Sequence, residues 1–343
     1  MTDLGVVVIG RNEGDRLRRC LASLAPAGVP VVYVDSGSAD GSVALARGLG
    51  VEVVELDPAR PFSAARARNE GFDRLAGMIP GLRFAMFVDG DCEVVPGWLD
   101  AARAELEARP ELAVVCGRRR ELDPDRSVYN RLADLEWDTP VGLADACGGD
   151  ALFRADDFLA VGGFDPTAKA GEEPDLCRRL RERGRLVARL DAEMTRHDLN
   201  MTRFAQWWRR QFRVGYHGLD LQLRLPPGRA RAASPFGVQL RRAWVWGIGW
   251  PCVVAGGMVL AGCWGGIGRA LIVLALGLGL LAVQAARVAW RVRRRVARPG
   301  DALAHGTLMV VEKWANLAGQ AGQVLDRWRG RAGQLIEYKA ASR

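Results

Sequence analysis

The sequence has few of the residues that build the most familiar metal, redox and phosphate sites. Its three histidines, His197, His217 and His305, are scattered, and its seven cysteines form no Cys-x-x-Cys pair. A zinc ribbon and a dithiol redox motif are therefore excluded, and the cysteines are expected to be small apolar residues in a reducing compartment. No glycine-rich, lysine-containing phosphate loop occurs at Gly10–Gly14, which argues against a nucleotidyltransferase.

The first residues also lack the features of a secretory signal peptide. Asp3 stands where such a peptide carries basic residues, and the apolar run Val6–Ile9 is too short for its hydrophobic region. The run is instead typical of a buried strand. We therefore expect the N-terminal domain to face the cytoplasm.

Positive charge is concentrated in parts of the chain. The 343 residues carry a formal net charge of +8, and the surplus lies in Arg203–Arg242 and Arg287–Arg298. Such clusters suit either nucleic acid or anionic lipid. Because both lie beside apolar stretches, we expect a membrane as the partner and no nucleic acid.

Residues 1–200 alternate between short apolar runs and amphipathic segments, the pattern of a parallel α/β sheet. Ligands of such sheets bind beyond the carboxyl ends of the strands. Polar side chains follow three predicted strand ends, namely Arg11–Glu13, Asp35 and Asp89–Asp91. The predicted strands are Gly5–Gly10, Val29–Val34, Val51–Leu56 and Phe84–Val88, and the predicted helices are Glu13–Leu24, Ser42–Leu49 and Ala64–Leu75.

Two apolar runs further along are long enough to cross a bilayer. Trp244–Trp264 and Ala270–Ala286 are nearly without charge, and arginines flank the pair on both outer sides. Because the cytoplasmic flanks of membrane helices are rich in arginine, both ends are expected in the cytoplasm, at the inner membrane. The pattern predicts a transmembrane helical hairpin over residues 243–290, preceded by a basic linker over residues 226–242.

Residues 291–343 are predicted to form a basic amphipathic tail. After Pro299, apolar residues from Leu303 to Trp328 recur at near-helical spacing among polar ones. Such a helix suits the membrane interface. It equally suits packing on the catalytic domain, and the sequence leaves both open.

The sequence Asp89-Gly90-Asp91 after an apolar strand is the sharpest chemical signal. Two carboxylates in one turn supply the oxygen ligands that Mg²⁺ and Mn²⁺ prefer, together with substrate phosphates. The same residues also form turns, but the preceding strand favours a metal site. Asp35 is expected to accept hydrogen bonds from a base or ribose, and Asp40 to cap the next helix.

Several segments resemble, in their order, the motifs of family 2 glycosyltransferases with the GT-A fold. The resemblance covers residues 4–215 and implies a Rossmann-like, mostly parallel sheet in a catalytic domain that we place at residues 1–225. The segments are Val8–Glu13, Val34–Ser38, Ala67–Gly71 and Val88–Asp91, followed by Gly162–Asp165 and Gly171–Leu180, which resemble the acceptor-side motif of that family.

The resemblance also implies roles for individual residues. Glu173 matches the general base, although Glu172 beside it is also chemically competent, and His197 matches a late metal ligand. Arg209, Arg210 and Arg213 are candidates for contact with the donor diphosphate. The implied nucleotide-sugar contacts are Arg11, Asn12, Glu13, Asp35, Ser36, Arg68, Asn69, Asp89 and Arg210, and the implied metal ligands are Asp89, Asp91 and His197.

The chain departs from the family's pattern near the nucleoside and at the base. The family often has Pro-x-Tyr-Asn-Glu where this chain has Gly10–Glu13, so an aromatic residue near the nucleobase is missing. Ser36 stands where a second aspartate is common, and Glu172-Glu173 replaces a Glu-Asp pair.

One base beside one metal predicts displacement in a single step, and hence inversion at the sugar carbon. A glycosidase would need two carboxylates flanking the bond. We therefore expect an inverting glycosyltransferase that uses Mg²⁺ or Mn²⁺ and moves a sugar from a nucleoside-diphosphate sugar to a hydroxyl of a lipid-linked or cell-surface glycan. The alternative is a non-catalytic membrane scaffold on a degenerate form of the fold.

Overall fold

The chain folds as two structural units, which the computed structural model describes over residues 3–168, 171–224 and 235–330. Within these ranges, unit 1 contains residues up to 124 together with 136–200. Unit 2 contains residues 125–135 and the described residues after 200.

The first part of unit 1 has the predicted alternation of strands and helices. Its elements are β1 (Leu4–Gly10), α1 (Asp15–Leu24), β2 (Val31–Asp35), α2 (Ser42–Gly48), β3 (Glu52–Glu55), α3 (Ala64–Met78) and β4 (Phe84–Asp89). β1 ends at Gly10 as predicted, and β2 and β4 end at Asp35 and Asp89, one residue beyond their predicted ends. The helix α3 begins after Ser63, whose hydroxyl caps it by accepting from the amide of Arg66.

The remaining elements of this part of the chain are shorter and less regular. They are β5 (Cys92–Val94), α4 (Trp98–Ala108), β6 (Leu112–Glu121), α5 (Val128–Glu136, all but its last residue in unit 2), β7 (Gly142–Leu143), β8 (Ala151–Arg154), α6 (Ala155–Ala160), α7 (Glu172–Glu182) and β9 (Leu186–His197).

The strands form one sheet in the order β3-β2-β1-β4-β8-β6-β9-β5, with β7 on β9. The strands β1 to β4 are parallel, as predicted, and so are β6 and β9. The sheet is nevertheless mixed rather than mostly parallel, because β8 runs antiparallel to both its neighbours. This reversal sets the start of β8 beside the end of β4, which brings Asp150 next to Asp89.

The core of unit 1 lies on both faces of the central strands. β1 and β4 are buried along almost their whole length, and α3 approaches so closely that a Cβ on Gly71 would lie 2.3 Å from a methyl of Val7. Aromatic rings fill the space beneath the end of β4, where they support the loops that follow; these rings are Phe72, Phe87, Phe153, Phe158 and Phe164.

Unit 2 is helical. Besides α5 it contains α8 (Phe204–Arg224), α9 (Pro235–Trp244), a π-helical stretch (Val245–Gly249), α10 (Trp250–Val292) and α11 (Pro299–Trp328). α8 and α11 touch backbone to backbone, since a Cβ on Gly215 would lie 2.0 Å from the carbonyl oxygen of Asn316. Arg131 of α5 donates two hydrogen bonds to Asp301 at the start of α11.

One helical stretch among the described residues, Gly237–Val292, is long and apolar enough to cross a membrane. Its helix α10 breaks at Gly265 and Gly266, whose backbone angles are not helical. The Trp250 indole donates to the Gly277 carbonyl at 3.3 Å, although 27 residues of straight helix would span about 40 Å. The two halves therefore lie side by side. That they cross a bilayer stays a prediction.

The fully buried side chains of α11 are small or polar, although Leu317 also packs on Gly247 of the π-helical stretch. The buried set is Asp301, Ala302, Gly306, Glu312, Ala315, Asn316, Gly319, Gln320 and Gln323, whereas Leu303, Val324, Leu325 and Trp328 are exposed. Residues 225–234 and 331–343, which belong to the predicted linker and tail, lie outside the described residues.

Candidate active site

Arg68 joins two of the predicted site carboxylates. One terminal nitrogen lies 2.8 Å from Asp89 Oδ1 and the other lies 2.7 Å from Glu172 Oε1. The guanidinium is buried and also lies over the ring of Phe164. The end of β4 and the start of α7 are therefore held together by one buried cation.

Arg119 and Asp150 form a second ion pair at the same place, and neither was predicted. Arg119 lies 2.7 Å from Asp150 and 3.7 Å from Asp89. Asp150 is fully buried, and it accepts from the amide of Asp89 and the hydroxyl of Thr195. The arginine keeps the pKa of Asp150 below its ordinary value against the opposing effect of burial. The sequence does contain one indication of Asp150, because Gly148-Gly149 predicts a turn directly before it and an apolar run follows.

Asp91 and His197 meet where β5 pairs with β9. His197 Nε2 lies 3.2 Å from Asp91 Oδ2, and a donor atom of Cys92 lies within 4.8 Å of both. Burial, aided by Arg119, lowers the pKa of His197 to about 4, so the imidazole is neutral. Its Nδ1 is buried and has no hydrogen-bond partner among the described residues. A neutral imidazole beside a carboxylate fits a divalent metal.

The predicted nucleoside contacts lie at the ends of β1 and β2. Asp35 is buried, and its carboxylate accepts from the Tyr33 hydroxyl and from the amides of Gly37 and Ser38. Asn12 adopts a left-handed backbone and links the two loops, because its amide oxygen accepts from the Ala39 amide. These contacts fix the two loops, and direct contact with a ligand stays a prediction for both residues.

An aromatic residue does lie near these loops, although the sequence departs from the family there. The ring of Phe62 lies so close to Gly37 that a Cβ at Gly37 would be 3.0 Å from it. The Arg11 guanidinium lies 5.7 Å from the centre of the same ring. Phe62 comes from the loop before α3, so its proximity to Arg11 depends on the fold. Ser36 follows the end of β2, and its amide donates to the Gly10 carbonyl.

Other predicted residues have different surroundings. Asn69 binds the backbone of Phe164 through both its amide nitrogen and its oxygen, so it fastens α3 to the following loop. Glu13 pairs with Arg16 on α1. Arg210 belongs to α8 of unit 2, and its contact with a diphosphate stays a prediction.

The two glutamates at the start of α7 differ in environment. Glu172 is held by Arg68, as described above. Glu173 is buried, and its Oε1 accepts from the Cys147 amide and from the Cys177 thiol. Burial raises the pKa of Glu173 above its ordinary value. A carboxylate with a raised pKa is the stronger base.

The fold and the site together define a class, an α/β domain of the GT-A type in which strand-end carboxylates face an acidic helix start. Residues 5–158 match the family described as Glycosyl transferase family 2. With the ordered motifs, this match identifies residues 5–158 as a family 2 glycosyltransferase domain.

Two known proteins extend the comparison. The Pre-mycofactocin glycosyltransferase of Mycobacterium tuberculosis is 27% identical over 312 residues, which cover 86% of this chain and 57% of that protein. The chain thus spans little more than half the length of this relative. The mannosyltransferase PcManGT of Pyrobaculum calidifontis, solved with GDP-Man and Mn²⁺, is similar with a TM-score of 0.59 at 17% identity, over 93% of this chain and 87% of that one. The second likeness confirms the predicted GT-A fold.

Proposed function

We propose that this chain is an inverting glycosyltransferase that moves a sugar from a nucleoside-diphosphate sugar to an acceptor hydroxyl. The observation that carries the proposal is a pair of contacts at the carboxyl end of β4: Asp91 lies beside His197, and Asp89 is joined through Arg68 to Glu172 at the start of α7. The family match and the likeness to a structure that contains a nucleotide sugar and Mn²⁺ support it.

Glu173 is the proposed general base, and Glu172 positions Arg68. An acceptor hydroxyl is a poor nucleophile until a carboxylate removes its proton. Burial raises the pKa of Glu173 and with it the affinity for a proton, whereas Glu172 is held in an ion pair with Arg68. The structure offers one such base beside the diphosphate end of the site, which favours a single displacement and inversion.

Charge on the leaving diphosphate is balanced by cations in this proposal. Arg68 and Arg119 already flank Asp89. Asp89, Asp91 and His197 would hold Mg²⁺ or Mn²⁺, which supplies further positive charge for the diphosphate. The leaving group then needs no acid residue. Arg11, Asn12, Asp35 and Ser36 form the nucleoside end.

Unit 2 is proposed to place the site at a membrane, facing the cytoplasm, with a lipid-linked or glycan acceptor. The buried residues of α11 are small or polar, while large apolar residues of α10 and α11 face outward, as in helices surrounded by lipid. The large outward-facing residues include Val253, Leu260, Trp264, Trp290 and Trp328.

Nucleotide binding is the first test. The full chain in detergent would be titrated calorimetrically with nucleoside diphosphates and nucleotide sugars, with and without Mn²⁺. We expect metal-dependent binding of one nucleotide, lost in Asp91→Ala and kept in Asp100→Ala, an exposed carboxylate on α4. A folded protein that binds no member of the panel would contradict the proposal and favour the scaffold alternative.

Membrane orientation has a separate test. Arg269 follows the break in α10, so a cysteine there, in a chain without Cys252 and Cys263, marks the hairpin turn. We expect it to react with an impermeant maleimide from the outer side of the inner membrane. Reaction from the cytoplasmic side alone would contradict the proposed hairpin topology.

A further inference from the structure

Two thiols and a carboxylate form a buried cluster beside the start of α7. Cys147 Sγ and Cys177 Sγ lie 3.6 Å apart, and Cys177 Sγ lies 3.2 Å from Glu173 Oε1. One donor atom from each residue lies within 4.8 Å of the others, and all three residues are buried. Cys147 lies in the loop before β8 and Cys177 lies one turn beyond Glu173, so only the fold brings them together.

These separations are close to those of a tetrahedral zinc site. Zn–S bonds of about 2.3 Å and Zn–O bonds of about 2.0–2.2 Å place two sulfurs about 3.8 Å apart, and a sulfur and an oxygen about 3.5 Å apart. The distances of 3.6 Å and 3.2 Å need shifts of only a few tenths of an ångström. Two cysteines and one carboxylate leave a fourth position for water.

We propose that Cys147, Cys177 and Glu173 form a binding site for a thiophilic divalent cation, of which Zn²⁺ is the preferred one. Thiolates select Zn²⁺ over Mg²⁺ and Mn²⁺, so this site differs in chemistry from the carboxylates at the end of β4. On binding, two S–H bonds break, two S–Zn bonds and one O–Zn bond form, and two protons pass to solvent. No electrons are transferred.

The consequence for catalysis rests on the proposed function. A Glu173 carboxylate that binds Zn²⁺ cannot take the proton of an acceptor hydroxyl, so Zn²⁺ inhibits transfer at this site. Burial raises the pKa of the Cys147 thiol, and protons therefore compete with the metal. Because two protons leave, the apparent affinity rises by up to about 100-fold per pH unit.

Cobalt provides a readout that does not depend on activity. Thiolate complexes of Co²⁺ absorb strongly in the near ultraviolet, whereas carboxylate and imidazole complexes do not. The full chain in detergent, reduced and stripped of metal, is titrated with Co²⁺ and then with Zn²⁺. We expect the thiolate band with Co²⁺ and its loss when Zn²⁺ displaces the probe.

Variants assign the band to its ligands. Cys147→Ser and Cys177→Ser are each expected to remove it and to weaken Zn²⁺ binding on the order of 100-fold. Cys92→Ala is the matched control, since Cys92 is also buried and lies beside Asp91 and His197. A band that survives both serine variants and disappears in Cys92→Ala would overturn the proposal. Absence of the band from the reduced, folded chain would also overturn the proposal. This applies even if mass spectrometry finds Cys147 and Cys177 joined as a disulfide before reduction.

A transfer assay at saturating Mn²⁺ tests the inhibition. Zn²⁺ is expected to inhibit the wild-type chain relative to its zinc-free rate, and over the same range of concentration to leave Cys177→Ser at that variant's own zinc-free rate. Zn²⁺ that binds without inhibiting transfer would overturn the proposed inhibition. A chain that gives the cobalt band but transfers no sugar supports the metal site and contradicts the proposed function alone.

Discussion

Arg68 and Asp89 form an ion pair at the carboxyl end of β4, with 2.8 Å between a guanidinium nitrogen and Oδ1, in which the arginine is buried and the aspartate is 30% exposed. The other terminal nitrogen of the same arginine binds Glu172. Arg68 is only 3% exposed, so little water reaches these contacts. A single cation, Arg68, therefore binds two carboxylates that have roles in the proposed reaction.

Replacing Arg68 should therefore destabilise unit 1 far more than replacing an arginine on the surface of the same helix. Arg68→Ala leaves Glu172 without its ion-pair partner and Asp89 with only Arg119, which is 3.7 Å away. Breaking a buried pair costs about 3–5 kcal/mol. Arg74 lies on the exposed face of α3 and pairs with Glu52 of β3. Arg74→Ala should therefore cost about 1 kcal/mol or less. Chemical unfolding of both variants measures the difference. Equal losses would contradict the importance of the Arg68 contacts.

The parts of the fold that could be predicted are those that local sequence determines. Apolar runs of strand length, followed by polar residues, indicate the ends of β1, β2 and β4, and with them Asp35, Asp89 and Asp91. The reversed strand β8 is only four residues long and has no period of its own, so its antiparallel pairing could not be predicted. Asp150 was missed for that reason.

Residues that act through long-range contacts were also beyond prediction. Phe62 and Arg11 are brought together by two loops, and neither loop's sequence specifies the other's path. Cys147 and Cys177 lie 30 positions apart and form no recognisable spacing. The roles of Glu172 and Glu173 could not be separated, because helix periodicity does not reveal that one meets Arg68 and the other a pair of thiols.

Phe62 is expected to support nucleotide binding. Its ring lies beside Gly37 and Arg11, where a nucleobase is proposed to lie. Loss of one aromatic contact removes about 0.5–1.5 kcal/mol, which is a rise of roughly 2–13-fold in Kd. Calorimetric titration of Phe62→Ala measures it, with Phe62→Trp retaining affinity and Leu49→Ala, an exposed apolar residue of the same unit, as control. An unchanged Kd in Phe62→Ala would contradict this role.

The two glutamates of α7 should separate in kinetics. Glu173→Gln removes the proposed base, so kcat should fall by about 10²–10⁴-fold while nucleotide binding is kept. Glu172→Gln breaks the contact with Arg68 and should weaken donor binding with a smaller effect on kcat. Transfer from a labelled nucleotide sugar to a membrane lipid extract gives kcat, and calorimetry gives Kd. The reverse pattern would assign the base to Glu172.

Glu121 and His197, paired in register between β6 and β9, should contribute opposite pH dependences. Burial lowers the pKa of His197 to about 4, so its contribution to stability is present above about pH 6.5 and lost as the pH falls toward 4. Burial raises the pKa of Glu121 to about 7. Its contribution is present at low pH and lost as the pH rises through 7.

The two contributions oppose each other between about pH 4.5 and 6.5. Relative to wild type, Glu121→Gln should lose stability on acidification, by up to about 1.4 kcal/mol per pH unit, and His197→Gln should gain it. Unfolding midpoints of metal-free protein across this range measure both slopes. Asp191→Asn, an exposed carboxylate on β9, is the control. Slopes of the same sign in the two variants would contradict the opposite pH dependences of Glu121 and His197.

Two glycines of α11 should differ sharply in their tolerance of alanine, because helix contact in unit 2 depends on backbone approach. A Cβ on Gly306 would lie 2.1 Å from the carbonyl oxygen of Ala285 on α10, whereas a Cβ on Gly300 would meet nothing within 4 Å. Gly306→Ala must push the helices apart, and overpacking of this kind costs about 1–3 kcal/mol or more. Gly300→Ala should be neutral or stabilising by up to about 1 kcal/mol, since alanine favours the helix. Thermal unfolding in detergent compares the two, and equal midpoints would show that α10 and α11 do not pack through Gly306.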